Sequence, residues 1–168
     1  MNKFAKLVKL DQLGFTLIEL MIVIVILGVL SMIGVTAFSS SQVRSRDAKR
    51  KGDLANFQKT LEFYYNDYNR FPLSDAEGKI QCKAAAICEW GLEFSDDNGT
   101  IYMIRLPKEA TGARRYFYVS TGDDYRVYAF LENTEDSGII TPSVATNCAT
   151  ASPSVNCNYG IASVNTTP

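Results

Sequence analysis

The feature that most constrains this chain is an uninterrupted apolar run from Phe15 to Phe38, in which Glu19 is the only charged residue. A helix that spans a bilayer needs about 20 apolar residues, whereas a core helix of a globular protein shows polar positions every three or four residues. The run therefore predicts one transmembrane helix over residues 15–38. A short segment that carries three lysines and ends in Gly14 precedes it.

Glu19 is the residue in this run that requires compensation. A carboxylate in hydrocarbon is unfavourable unless it is paired, protonated or raised to the interface. Cleavage after Gly14 would create an α-amino group at Phe15, at a similar depth, and the amine of one copy could then meet the carboxylate of the next. This pattern predicts an assembly role for Glu19 and Phe15. The alternative is that Glu19 lies at headgroup level on a tilted helix.

The junction GFTLIEL, residues 14–20, resembles the class III signal of type IV pilins and type II secretion pseudopilins. Weaker similarity to the G-type major pseudopilins continues at Tyr64-Tyr65, Phe71-Pro72, Leu106-Pro107 and residues 128–133. The resemblance implies a pilin-like fold, cleavage after Gly14 by a prepilin peptidase, methylation of Phe15, and pairing of Glu19 with a neighbour's N-terminus. The partners it implies are other pilins, the peptidase and an inner-membrane assembly platform.

A competing processing signal lies at Val35-Thr36-Ala37, which precedes Phe38 with the small residues that ordinary signal peptidase prefers. Cleavage there would release a soluble protein, but its leader would be unusually long and would contain Glu19. Thr36 also stands where many pilin relatives carry a proline, so the resemblance does not extend to a kink at that position.

Four cysteines, Cys82, Cys88, Cys148 and Cys157, follow the apolar run. Their even number favours disulfides in an oxidising compartment, and sequential pairing closes the shortest loops among the three possible connectivities. A zinc site built from all four would lack the usual C-x-x-C spacing. Because positive charge flanks both ends of the run, the positive-inside rule does not orient it. The cysteines therefore place the predicted head outside the cytoplasm. Together with what the pilin resemblance implies, the predicted location is an inner-membrane protein with an extracytoplasmic head and a filament in the periplasm or at the cell surface.

The predicted fold class is α+β, with a long N-terminal helix packed on a small three-stranded antiparallel sheet and a disulfide-stapled C-terminal loop. We divide the chain into a leader (1–14), the transmembrane helix (15–38), an amphipathic extension (39–71) and the head (72–168). The extension rests on apolar residues spaced by three and four, namely Leu54, Phe57, Leu61, Tyr64, Tyr65 and Tyr68. Pro72 is expected to end it.

Three segments with strand character begin at Ile101, Tyr116 and Tyr125. The short link 121–124 between the last two predicts an antiparallel hairpin. One sheet face is expected to bury against the helix, with Tyr102, Ile104, Phe117, Val119, Val127, Ala129 and Leu131 as its members.

The basic run at residues 44–51 could attract phosphates, but two aspartates dilute it and we expect no nucleic acid partner. Intersubunit salt bridges or lipid headgroups are its expected contacts. Acidic clusters supply a weak calcium prediction at Asp96, Asp97, Glu135 and Asp136, because the G-type pseudopilins that this chain resembles bind calcium in C-terminal loops.

Enzymatic chemistry is not indicated. The chain has no histidine, no glycine-rich phosphate loop, and cysteines that are better explained as disulfides. The alternative to a polymerising subunit is a single-span membrane protein whose head binds a ligand or partner without forming a filament.

Overall fold

The computed structural model describes residues 14–83, 86–164 and 166–168, with side chains in these ranges except at residues 33–37. Its one long helix is α1 (Leu17–Tyr68). The strands are β1 (Ile80–Gln81), β2 (Ile87–Cys88), β3 (Phe94–Ser95), β4 (Ile101–Met103), β5 (Phe117–Ser120), β6 (Tyr125–Ala129) and β7 (Tyr159–Ala162). The chain divides into two compact units, Met1–Ser41 and Gln42–Pro168. From here on, the head means the second unit, which adds the C-terminal part of α1 to the region 72–168 that was divided off from the sequence.

The first unit contains the N-terminal part of α1, which presents large apolar side chains all round. From Leu17 to Met32 these side chains are between 49% and 79% exposed. Within the described part of the chain, no helix combines the length and apolar character needed to cross a membrane. The span over residues 15–38 stays a prediction.

The C-terminal end of α1 is set by Asn69, which follows the last helical residue, Tyr68. Asn69 has a left-handed backbone conformation with φ of 50°, and its N–H donates to the carbonyl of Tyr65 at 2.7 Å. Asparagine is one of the few residues that tolerate this conformation at a helix C-terminus. The helix therefore ends at Tyr68 through the conformation of Asn69, before the chain reaches Pro72.

The head contains one three-stranded antiparallel sheet and two short hairpins. The sheet order is β5-β6-β7, while β1 pairs with β2 and β3 pairs with β4. The prediction that the strand from Ile101 would join the other two is wrong. That strand is β4, and it pairs locally because the Asn98-Gly99 turn, with Gly99 at φ of 84°, folds it back on β3. The third strand of the sheet, β7, comes instead from the tail that was expected to be a loop.

The helix-facing side of the sheet buries Val127 and Ala129 against Leu54, Phe57 and Leu61. Both strand residues were predicted on this side, and that is confirmed. In β5 the prediction is wrong by one residue, since Tyr118, opposite Val127 in the register, faces the helix while Phe117 and Val119 face away. Ile104 was also expected to be buried and is 84% exposed. Successive side chains of a strand point to opposite faces of the sheet. An error of one residue in the predicted alternation therefore assigns every side chain of β5 to the wrong face.

The other side of the sheet is covered by the C-terminal loop. Phe117 and Tyr128 pack there with Cys148 and Cys157. A disulfide joins these two cysteines with a Cα–Cα distance of 5.2 Å. The second disulfide joins Cys82 to Cys88 across the β1–β2 hairpin. The structure thus contains the sequential pairing.

Candidate functional site

The predicted processing site lies immediately before α1. Gly14, Phe15 and Thr16 adopt neither helix nor strand, and the side chain of Phe15 is 91% exposed. The helix begins at Leu17. The Gly14–Phe15 peptide bond is therefore outside the helical hydrogen-bond ladder.

Thr16 and Glu19 form a capping box at the start of α1. The Oε2 atom of Glu19 accepts the backbone N–H of Thr16 at 2.8 Å and its hydroxyl at 2.7 Å, while the N–H of Glu19 donates to the Thr16 hydroxyl at 3.3 Å. Such reciprocal bonds satisfy donors that a helix start otherwise leaves unpaired. From the apolar run alone, Glu19 is interpreted as a partner for another chain or as a residue at headgroup level. The Thr-x-x-Glu spacing is the signal that reveals its second role.

The surroundings of Glu19 are apolar apart from Thr16. Both hydrogen bonds of the carboxylate end on Oε2, and the described residues provide no basic partner for it. Oε1 is thus available to a cation from outside the chain. The assembly role of Glu19 and Phe15 remains a prediction.

Arg50 is the centre of a buried charge cluster in the head. Its guanidinium donates to Glu109 at 2.6 Å and to Asp47 at 2.7 Å, and it lies 2.8 Å from Glu132. The carboxylate of Asp47 also accepts the backbone N–H groups of Glu132 and Asn133 at 3.0 and 2.8 Å. Burial by itself lowers the pKa of Arg50, but the hydrogen bonds to three carboxylates outweigh burial and raise it.

Two further ion pairs fasten the loop after β6 to α1. Arg46 donates to Glu132 at 2.9 Å, and the ammonium of Lys51 lies 2.7 and 2.8 Å from the two oxygens of Asp136. The hydrogen bond from Arg46 is the largest influence on Glu132, and with the bond from Arg50 it lowers the pKa of that carboxyl to about 2 against the opposing effect of burial. The bond from Lys51 likewise lowers the pKa of Asp136.

These contacts correct the expectation that the basic run serves neighbouring subunits or lipid headgroups as a whole. Arg46, Arg50 and Lys51 pair within the head, because their positions on α1 face the acidic loops of the same chain. Among the described residues, Arg44 and Lys49 are the members of the run without an acidic partner.

Two of the four residues proposed for calcium, Asp96 and Asp136, have other partners. Asp96 accepts hydrogen bonds from the hydroxyl of Tyr68 at 2.8 Å and the N–H of Thr100 at 2.7 Å, which stabilise the β3–β4 turn. Asp136 is paired with Lys51, and neither Asp97 nor Glu135 joins it in an ion site. In the ranges that the structure describes, no three histidine, cysteine or acidic side chains form a group able to hold a metal ion. The four residues therefore do not form one metal-binding group, and the calcium site stays a prediction.

Comparison with known proteins agrees with the geometry of the N-terminal segment. The family described as Prokaryotic N-terminal methylation motif matches residues 9–35. Type II secretion system core protein G of Dickeya chrysanthemi is 30% identical over 119 residues, which cover 71% of this chain and 75% of the relative. The protein of the same description from Klebsiella pneumoniae is 32% identical over 119 residues, 71% of this chain and 82% of the relative.

A type IV pilin is also similar over a shorter segment. The Type IV major pilin protein PilA of Myxococcus xanthus is 36% identical over 58 residues, which cover 34% of this chain and 26% of the pilin. No solved structure gives a significant match. The prepilin-type N-terminus and the extent of the first two similarities together show that this chain belongs to the family of the type II secretion system core protein G.

Proposed function

We propose that this chain is the structural subunit of a type IV pilus-like filament, matured by a prepilin peptidase and assembled through its N-terminal helix. The observation that carries the proposal is the methylation motif over residues 9–35, which contains the Gly14–Phe15 junction, on a chain of the core protein G family. The function is structural and not enzymatic, in keeping with that family.

A secretion pseudopilus is the filament we favour. The core protein G of Klebsiella pneumoniae is similar over 71% of this chain, whereas the similarity to the Myxococcus xanthus pilin covers 34%. The longer similarity includes head residues, and the head distinguishes one filament subunit from another. The alternative filament, a type IV pilus, is supported by the shorter similarity to the Myxococcus xanthus pilin.

We propose that residues 15–38 anchor the precursor in the inner membrane with the head outside the cytoplasm. The exposed apolar side chains from Leu17 to Met32 require an apolar environment, since no described residue of the first unit covers them. The two disulfides favour an oxidising compartment for the head. The leader then remains on the cytoplasmic side.

Maturation follows from the geometry before α1. A peptidase acts on chain that is not locked in a helix, and Gly14 and Phe15 precede the helix without joining it. Cleavage there makes Phe15 the N-terminal residue and its amine the group that is methylated. Thr16 and Glu19 are retained, so the capping box survives processing.

Assembly then pairs the new amine of one subunit with Glu19 of its neighbour. Because the bonds to Thr16 end on Oε2, the amine can approach Oε1 without breaking the capping box. In an apolar surrounding an unpaired carboxylate is costly, so each pairing favours addition of a subunit. The partners are other pilins, the peptidase and an inner-membrane assembly platform.

Mass spectrometry of the mature N-terminus tests the proposal. A protein that begins with methylated Phe15 and is found in sheared filaments supports it. A protein that still begins with Met1 is an uncleaved membrane anchor, and one that begins with Phe38 is a secreted soluble protein. Either result contradicts the filament function, as would filament formation that is unaffected by Glu19→Ala.

A further inference from the structure

A basic groove on the head has no role in the functions described so far. It has a volume of about 660 Å³ and lies between residues 49–53 of α1 and the loops at 89–92 and 105–108. Lys49, Arg105 and Lys108 line it. All of its walls belong to the head.

Gly91 holds two of the cations in place. Its carbonyl accepts a hydrogen bond from Nε of Arg105 at 3.2 Å. The stem of Lys108 lies against its α-carbon, since a Cβ at this position would be 2.9 Å from the Cδ of Lys108. Gly91 also has φ of 92°, a conformation that other residues rarely adopt. The loop therefore places Arg105 and Lys108 beside the same residue, and the third cation, Lys49, comes from the helix.

The acidic residues of the groove offset these cations only in part. Glu89 is paired with Lys79 outside the groove at 2.7 Å, while Asp53 accepts the hydroxyl of Tyr116 at 2.7 Å and keeps its charge. Lys49 and Lys108 have no acidic partner among the described residues. With three cations beside one carboxylate that has no cationic partner in the described part of the chain, the groove keeps a net positive charge and is complementary to an anionic group.

An apolar wall beside the cations favours a ligand that has apolar groups as well as negative charge. Leu92 is 61% exposed at the edge of the groove, next to Trp90. The indole Nε1–H of Trp90 is the one buried side-chain polar atom of the described residues without a hydrogen-bond partner. Carboxylates on a peptide that also offers apolar contacts match this surface better than a small inorganic anion does.

We propose that this groove, lined by Lys49, Arg105 and Lys108, receives an acidic segment of a second copy of this chain. The proposal rests on the filament function, which brings copies together. The chain itself supplies the complementary charge: Asp97, Asp123 and Glu135 have no ion partner within the described structure. The groove is thus a head-to-head contact, separate from the pairing at Glu19.

Charge reversal tests this contact with the full-length chain in a filament-forming strain. Lys49→Glu combined with Lys108→Glu should lower filament yield at least about tenfold, because like charges then face each other at the contact. The matched control is Lys59→Glu with Lys83→Glu, two exposed cations outside the groove, which should assemble as the wild type does. Thermal unfolding of both purified double variants should match the wild type and so exclude misfolding. Wild-type yield from the groove variant overturns the proposal.

A photo-crosslinking residue at Leu92 identifies the occupant. Irradiated filaments with p-benzoylphenylalanine at this position should give an adduct of twice the subunit mass, linked to a peptide that contains Asp97, Asp123 or Glu135. The adduct should be lost in the groove variant. An adduct with another protein, with lipid, or none at all contradicts the proposal. Absence of wild-type filaments would instead count against the filament function itself.

Discussion

The hydrogen bonds between Thr16 and Glu19 hold one oxygen of the Glu19 carboxylate and leave the other unused. The carboxylate proposed for subunit assembly is therefore also part of the helix start. Holding Glu19 in one orientation reduces the entropy that it would lose when a neighbour's amine binds. This relationship separates two effects of substitution, loss of the charge and loss of its positioning.

We expect Glu19→Ala to abolish filament incorporation, because both the charge and the capping box are lost. Thr16→Val retains the charge and the backbone N–H bond, and removes the hydroxyl bonds. It should weaken the helix start by about 1 kcal/mol and reduce filament yield only partly. Thr16→Ser keeps the hydroxyl and is the control that should assemble normally. The amount of filament sheared from cells should be normal for Thr16→Ser, lower for Thr16→Val and lost for Glu19→Ala. Equal losses in Thr16→Val and Glu19→Ala would contradict this expectation.

Arg50 should be the most sensitive charged residue of the head. Arg50→Met leaves the buried carboxylates of Asp47 and Glu109 without their cation, which typically costs about 3–5 kcal/mol. Arg44→Met, on the same helix but exposed and without an acidic partner, should change the free energy of unfolding by less than about 0.5 kcal/mol. Denaturant unfolding of the full-length protein in detergent measures both. Similar losses in the two variants would show that the cluster does not stabilise the head.

The sequence predicted the structure correctly where the signal lies within one short segment, as a periodic spacing or a turn motif. The Leu54, Phe57 and Leu61 spacing correctly predicted the buried side of α1, and the link at 121–124 predicted the β5–β6 hairpin. The charge cluster at Arg50 could not be predicted, because Glu109 and Glu132 are far from it in the chain and surface acids are common.

The third strand illustrates the same limit. β7 lies in a tail rich in serine, threonine and asparagine, a composition that does not indicate a strand. Its pairing with β6 depends on a long connection that is held by the Cys148–Cys157 disulfide. In contrast, the β3–β4 hairpin has a local signal, the Asn98-Gly99 turn, but β3 is only 2 residues long and too short to show an alternating pattern.

Acid should destabilise the head through Glu132. Its pKa in the folded protein is about 2, below the ordinary value of 4.5, so the stabilisation is fully present above about pH 4.5 and is lost as the pH falls toward 2. The shift corresponds to about 3 kcal/mol. Unfolding midpoints measured between pH 6 and 2 should fall accordingly, and Glu132→Gln should reduce the slope. Asp136 acts in the same direction, so some slope should remain in that variant.

Calcium should not stabilise this head. Lys51 already lies at the carboxylate of Asp136, and no three histidine, cysteine or acidic side chains of the described residues form a group able to hold a metal ion. A site that binds only the folded state would raise the free energy of unfolding by about 2.7 kcal/mol at a ligand concentration 100 times its dissociation constant. We therefore expect equal melting temperatures in millimolar calcium and in chelator. A saturable increase with calcium would show that a site exists.

The two disulfides should differ in their resistance to reductant and in their effect on stability. Cys148 and Cys157 are buried against Phe117 and Tyr128, whereas the pair in the β1–β2 hairpin is only partly buried. Reductant should therefore open the hairpin disulfide first, which timed alkylation and mass spectrometry can follow.

Replacing both Cys148 and Cys157 by alanine should cost about 3 kcal/mol from loop closure, because the disulfide spans a sequence separation of 9. Loss of packing in the cluster of Phe117 and Tyr128 adds to this cost. The same replacement of Cys82 and Cys88, with a separation of 6, closes a slightly shorter loop and removes less buried surface. Its cost should be the smaller of the two in denaturant unfolding, and the reverse order would show that the C-terminal loop does not depend on its disulfide for attachment to the sheet.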